Sequence, residues 1–178
     1  MISTALPGRG SAASASDGTQ MWLFGGQDRT IYFADLWHYD GTTWTQVAAN
    51  NAPPARSNSG MVYANGELWL FGGRAPDGTV LGDLWRFNGG TWAEVVPNGA
   101  WPTSRQAHGM VFNASTSEIL LLGGSLDAFD TTLGDTWRFD LGSQTWSEDL
   151  TAPSPAGTTH PIMTYDTTSG RVIGVIDG

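Results

Sequence analysis

LWLFGGRAPDGTVLGDLWRFNGGTW, residues 68–92, contains most of a structural unit that recurs along the chain. The apolar run 68–71 ends at a double glycine, and a polar loop leads to a second run, 83–87, that is rich in aromatic residues. The NGG sequence at 88–90 is typical of a tight turn between adjacent antiparallel strands. The next run, 91–96, has high strand propensity. This stretch therefore predicts three consecutive strands of an antiparallel sheet.

A further strand is predicted immediately upstream. The sequence SGMVYANGELW, residues 59–69, reads as a strand, a turn at Asn65-Gly66 and the return into the apolar run. One unit thus contains four short antiparallel strands between about residues 57 and 96.

The same unit recurs before and after this stretch. It is marked by an Arg before the first strand, a double glycine that ends the second, an Asp that starts the third and a Trp that starts the fourth. These residues are Arg9, Arg56 and Arg105; Gly25-Gly26, Gly72-Gly73 and Gly123-Gly124; Asp35, Asp83 and Asp135; and Trp44, Trp92 and Trp146. Successive glycine pairs are 47 and 51 residues apart. A period near fifty residues with four strands per unit is typical of a β-propeller.

The ordered set of Arg, double glycine, aromatic pair and Trp resembles the kelch repeat, and the resemblance covers nearly the whole chain. It implies an all-β fold, a partial kelch-type β-propeller with three four-stranded antiparallel blades and the inner half of a fourth. We expect one partial domain over residues 1–178, with blade 1 at about 9–48, blade 2 at about 56–96, blade 3 at about 105–149 and half-blade 4 at about 158–178. Propellers close into rings of roughly 4–8 blades. We therefore expect this chain to meet either the remaining blades of a longer parent chain or a second copy of itself.

Composition restricts the classes of function. The chain has no cysteine, which excludes disulfides and thiol chemistry within it. Its formal net charge is −9 and all eight basic residues are arginines, which argues against binding to nucleic acid or to an anionic membrane. No apolar run approaches the roughly 18 residues of a transmembrane helix, and no signal peptide is visible. These features leave the cellular compartment open.

The residues that recur in every unit are predicted to have structural roles. Glycine tolerates the crowding where neighbouring blades meet, and the recurrent tryptophans supply large apolar surfaces for packing between blades. Strand parity places the start of the first strand and the start of the third on the same side of the propeller. This predicts ion pairs between Asp35, Asp83 and Asp135 and the three recurrent arginines. Ligand binding by those arginines is the alternative.

Residues that break the repeat indicate a binding face. The loops between second and third strands and the segments that cross between blades lie on one side, and most of the long, irregular loops are there. Irregular loops on a rigid scaffold are frequent binding sites, and aromatic residues with Arg are frequent hot spots. The candidate binding residues are Arg29, Tyr32, Phe33, Arg56, Arg74, Asp77, Trp101, Arg105, Asp127 and Phe129. For Tyr32 and Phe33, folding back onto the blade edge is the alternative.

The function predicted best is a non-catalytic interaction module that binds a protein or glycan partner through this face. The alternative is the propeller domain of a carbohydrate-active enzyme, because the resemblance extends to galactose oxidase and to bacterial kelch sialic-acid epimerases. The resemblance to galactose oxidase implies a copper site with a Cys–Tyr cofactor, which a chain without Cys does not build. In the enzyme alternative, Arg56, Arg105 and His108 would contact substrate. No catalytic residue, metal ligand or cofactor is predicted, and His108 and His160 are expected at equivalent positions on inner strands.

Overall fold

A computed structural model describes residues 5–96, 98–128, 130–151 and 156–175. The elements of regular secondary structure in these residues are all β-strands. No helix long and apolar enough to cross a membrane is found among them. The strands form three four-stranded sheets and one two-stranded sheet, and all neighbouring strands are antiparallel and consecutive in the chain. The predicted all-β, partial kelch-type propeller is confirmed.

The four sheets follow one another along the sequence and are named here as blades. Blade 1 contains β1 (Ala13–Ser16), β2 (Met21–Phe24), β3 (Leu36–Tyr39) and β4 (Trp44–Val47). Blade 2 contains β5 (Gly60–Ala64), β6 (Glu67–Arg74), β7 (Val80–Phe87) and β8 (Trp92–Val95). Blade 3 contains β9 (Gly109–Asn113), β10 (Glu118–Leu122), β11 (Thr136–Asp140) and β12 (Thr145–Glu148), and half-blade 4 contains β13 (Ile162–Asp166) and β14 (Arg171–Val175).

Alternation along each strand divides the apolar residues between two cores. In blade 2, Met61 and Leu70 are cross-strand partners and belong to the core shared with blade 1. Val62 and Trp69 are the next pair and belong to the core shared with blade 3. Successive side chains of a strand point to opposite faces, so blade 2 is apolar on both sides. The first strands β1, β5, β9 and β13 pack side by side at the centre of the arc.

A backbone feature links the first strands around this centre. Ser11, Asn58, Ala107 and His160 all have φ between 54° and 55°. The N–H of each of the last three donates to the carbonyl oxygen of the residue before it in this series, at 2.6–2.9 Å. His160 is therefore equivalent to Ala107, and the predicted equivalence of His108 and His160 is wrong by one residue.

The double glycine behaves differently in different blades. In blades 1 and 3 the second strand ends directly before the glycines, as predicted. In blade 2 the prediction is wrong, because β6 continues through Gly72 and Gly73 to Arg74 with a shift of register between Phe71 and Gly73. Arg74 pairs with Val80 of β7, so the loop between these strands is short. In blade 2 the pairing of β6 with β7 thus extends into the region where blades 1 and 3 have longer loops.

Candidate functional site

One side of the propeller is built from loops that hold one another in place. The N–H of Arg56 donates to the carbonyl oxygen of Phe33, and that of Arg105 to the carbonyl oxygen of Leu81. Each of these crossing segments is thus fixed to the stretch between the double glycine and the recurrent Asp of the preceding blade. We call this side the loop face. It comprises the described residues of segments 25–35, 48–59, 72–83, 96–108, 123–135 and 149–161.

An Arg–Asp–Trp network anchors the loop face in each complete blade. In blade 2, Arg56 donates two hydrogen bonds to Asp83, at 2.6 and 2.8 Å. Its remaining bonds go to the carbonyl oxygens of Pro54 at 3.0 Å and Gly72 at 3.1 Å. The indole N–H of Trp85 donates to the same carboxylate at 2.6 Å. The network repeats as Arg9, Asp35 and Trp37 and as Arg105, Asp135 and Trp137.

The predicted Arg–Asp ion pairs are confirmed in all three blades. Burial raises the pKa of Asp83, but the hydrogen bonds and charge of Arg56, with the Trp85 hydrogen bond, outweigh burial and hold this pKa below its ordinary value. Arg56 is 1% exposed and Arg105 is completely buried. Four of the five N–H groups of the Arg56 guanidinium donate hydrogen bonds. The buried Arg56 side chain thus connects the crossing segment, the double glycine and β7 beneath the loop face.

Two other candidate arginines on the loop face donate no side-chain hydrogen bond to any residue that the structure describes. Arg29 is exposed and Arg74 is half-buried. Among the described residues, no carboxylate or carbonyl oxygen accepts a hydrogen bond from either side chain. The Arg74 guanidinium lies beside Gly78, and a Cβ built there would be 3.4 Å from Nη2. Asp77 is exposed in the same turn, where it accepts the Thr79 N–H at 2.9 Å.

The aromatic candidates on the loop face are partly covered. The Phe33 ring lies under the Arg9 guanidinium, 3.8 Å from its carbon, so this side chain folds back onto blade 1. Tyr32 is half-buried and forms an isolated bridge with Gln27. Trp101 is half-buried between blades 2 and 3, and its indole N–H donates to the carbonyl oxygen of Gly82 at 2.7 Å. Phe129 lies outside the described residues.

Asp127 lies in the loop between β10 and β11. Its carbonyl oxygen accepts hydrogen bonds from Gln106 and, at 3.1 Å, from Ser125. Its carboxylate accepts the N–H groups of Asp130 at 2.9 Å and Thr131 at 3.0 Å. The candidates therefore do not converge on one point. They spread across the loop face from blade 1 to blade 3.

Sequence reasoning did not identify His108 as a buried core residue. Its ring packs edge-on against Phe71 at 5.5 Å, and neither ring nitrogen has a partner among the described residues. Burial, and then the positive charge of Arg105, lower the pKa of His108 to about 3. The unfolded chain has a His pKa near 6.5, so unfolding takes up a proton between these two values. The stability that comes from the neutral imidazole is present above about pH 6.5 and falls as the pH drops towards 3.

We expect the free energy of unfolding to fall by about 2 kcal/mol between pH 7 and pH 5, because His108 must charge in the unfolded state. Urea titrations at closely spaced pH values measure this slope. The three carboxylates of the Arg–Asp pairs have lowered pKa values, so they titrate below this window. In His108→Leu the slope between pH 7 and pH 5 should largely disappear. An unchanged slope in that variant would contradict the assignment.

Antiparallel four-stranded blades, packed through their first strands and anchored by a repeated Arg–Asp–Trp network, define a kelch-type β-propeller. The family comparison agrees with this class. Residues 2–169 match the family described as the KLHDC2/KLHL20/DRC7 Kelch-repeats domain. The chain belongs to the kelch-repeat family, whose domains are in general protein-interaction modules.

Proposed function

We propose that the loop face binds a segment of a partner protein, with the loops around Arg29 and Arg74 as its centre. The observation that carries this proposal is the state of the arginines. Arg56 and Arg105 are buried and paired with Asp83 and Asp135, whereas the half-buried Arg74 and the exposed Arg29 have no carboxylate partner among the described residues. Each of these two guanidinium groups is suited to a carboxylate or a row of carbonyl oxygens from outside the chain.

The scaffold supports this use of the face. Buried ion pairs and backbone hydrogen bonds fix the loops before a partner arrives, which lowers the ordering cost of binding. Arg is also enriched among residues that dominate interface energetics. A partner segment that presents a carboxylate or carbonyl oxygens to the Arg74 guanidinium therefore fits this region.

Arg74→Ala is expected to weaken partner binding at least tenfold and to leave the melting temperature almost unchanged. Truncation of a hot-spot Arg costs on the order of 2 kcal/mol of binding free energy, while this side chain makes no ion pair with any described residue. Peptides selected from a displayed library on the immobilised chain supply the ligands, and calorimetric titration measures their affinities.

Arg86→Ala is the matched control for this experiment. It removes the same charge from the middle of β7, where the Arg86 guanidinium is 3.9 Å from Glu67. Affinity should be unchanged in this variant. Selected peptides that bind Arg74→Ala as tightly as the unaltered chain would contradict the proposal. The proposal would also be contradicted if the chain bound members of a glycan array while the library yielded no binding peptide.

A further inference from the structure

The two segments that cross into blades 2 and 3 have one informative difference. Each carries a buried proline three residues before its network Arg: Pro53 before Arg56, and Pro102 before Arg105. The residue before that proline is Ala52 in the first segment and Trp101 in the second. Ala52 and Trp101 are therefore structural equivalents.

Trp101 shows what this position does when it carries an indole. The ring enters the cleft between blades 2 and 3 and packs on the core there, 6.5 Å from the Phe71 ring. Its N–H donates to the carbonyl oxygen of Gly82, the residue directly before Asp83. Val95, at the end of β8, is only 7% exposed beside it.

The equivalent cleft between blades 1 and 2 has no such indole. It is a cavity of about 520 Å³, lined among others by Ala34, Leu36, Val47, Ala52 and Trp92. Ala34 directly precedes Asp35 and so corresponds to Gly82, and its carbonyl oxygen accepts no hydrogen bond from any described residue. Val47 corresponds to Val95 but is only half-buried.

We propose that this cleft is a binding slot for a tryptophan side chain of a partner protein. The incoming indole packs against Val47 and Ala52 of the cleft lining, and its N–H donates to the carbonyl oxygen of Ala34, as the Trp101 N–H does to that of Gly82 in the neighbouring cleft. The volume lies within the range of small-ligand sites, and Trp is among the residue types enriched at interface hot spots. The protein source of the indole rests on the proposed function of the loop face.

N-acetyl-tryptophanamide is the probe, and backbone amide shifts of the isotope-labelled chain report where it binds. Shifts at Val47 and Ala52 should saturate with a Kd on the order of 1 mM, as expected for a ligand of this size. The 1-methyl analogue, which lacks the indole N–H, should bind at least fivefold more weakly. Absence of saturating shifts at the cleft, or equal affinity of the two probes, would overturn the slot.

Ala52→Trp tests the same slot from inside the chain. The new indole should fill the cleft, abolish probe binding and raise the melting temperature. Ala100→Trp adds an indole at an exposed position of the other crossing segment and should change neither. Probe binding that survives in Ala52→Trp would overturn the proposal.

Trp101→Ala provides the reverse experiment. It should open a second slot, so that the stoichiometry of the probe rises from one to two and the probe partly restores the melting temperature. A stoichiometry that stays at one in the folded variant would contradict the equivalence of the two clefts. If this variant does not fold, the Ala52→Trp result alone decides.

The source of the indole is tested with the peptides selected on the loop face. Ala52→Trp should reduce their affinity at least fivefold, and the selected peptides should contain Trp. If the probe occupies the slot but the selected peptides lack Trp and bind Ala52→Trp unchanged, the partner indole is wrong while the proposed function stands. If no peptide is selected, the proposed function and the protein source of the indole both fail.

Discussion

Asp83→Asn is expected to lower the free energy of unfolding by about 3–5 kcal/mol, because it leaves a buried guanidinium without its counter-charge. Arg56 is enclosed by the fold, and its two shortest hydrogen bonds go to the Asp83 carboxylate. An amide of the same shape offers one oxygen and no charge, so one Arg56 bond is lost and the other weakens. The Trp85 indole competes for the same oxygen. Urea unfolding followed by circular dichroism measures the loss.

Glu67→Gln is the control for this substitution. It removes the same charge from the pair with Arg86, in which the two side chains are 28% and 43% exposed and 3.9 Å apart. Surface pairs of this kind contribute about 0–1 kcal/mol. Similar losses in the two variants would show that the Arg–Asp–Trp network does not stabilise the blade more than a surface ion pair does.

The network was predictable from sequence because it repeats. Arg56 and Asp83 recur at matching places in three units, and alternation along antiparallel strands determines which strand ends share a side of the sheet. Recurrence also identified the packing tryptophans. The ring centroids of Phe24 and Trp92 are 5.2 Å apart, and those of Phe71 and Trp146 are 5.6 Å apart. The same Phe–Trp contact therefore occurs in the core between blades 1 and 2 and in the core between blades 2 and 3.

The register of the first strands was not predictable in the same way. A residue with positive φ precedes each of them, and the side chains at this position are those of Ser11, Asn58, Ala107 and His160. No residue type recurs there, because the requirement is for a backbone conformation and a hydrogen bond to the neighbouring unit. An alignment of the repeats that matches His108 with His160 by residue type is therefore one position out of register with the backbone.

The candidate arginines fall into two groups, those whose guanidinium donates hydrogen bonds within the fold and those whose guanidinium does not. Arg56 and Arg74 look alike in sequence, but the carbonyl oxygen of Gly72 and the carboxylate of Asp83 engage only the first. The cleft beside Ala52 gives no signal in sequence, because it arises where an indole is missing. The two crossing segments differ by one residue in length between the fourth-strand Trp and the network Arg, so Ala52 and Trp101 are equivalent when counted back from the Arg but not when counted forward from the Trp.

Gly72→Ala is expected to destabilise the chain by about 3–5 kcal/mol through two separate effects. Gly72 has φ +60°, a left-handed conformation that costs a residue with a Cβ roughly 1–2 kcal/mol. A Cβ there would also lie 2.5 Å from the carbonyl oxygen of Arg105 and 3.1 Å from that of Leu81. Both oxygens belong to the backbone, so relief requires the crossing segment to move away from blade 2.

That movement would reach the next network. The Arg105 carbonyl oxygen accepts the N–H of Gly73, and the Arg105 side chain binds Asp135 of blade 3. Displacing this segment therefore weakens the contact between two blades as well as one turn. We expect amide hydrogen exchange to accelerate at Gly73 and Arg105 before it does in the middle of β6.

Two other glycines separate the conformational effect from the steric one. Gly89 has φ +95° with nothing within 4 Å of a built Cβ, so Gly89→Ala should cost only the backbone share, roughly 1–2 kcal/mol. Gly90, in the same turn, has neither a positive φ nor a close neighbour, so Gly90→Ala should be nearly neutral. Thermal and urea unfolding of the three variants give the order. If Gly72→Ala costs no more than Gly89→Ala, the crossing segment yields easily, and the glycine pair is required for its backbone conformation alone.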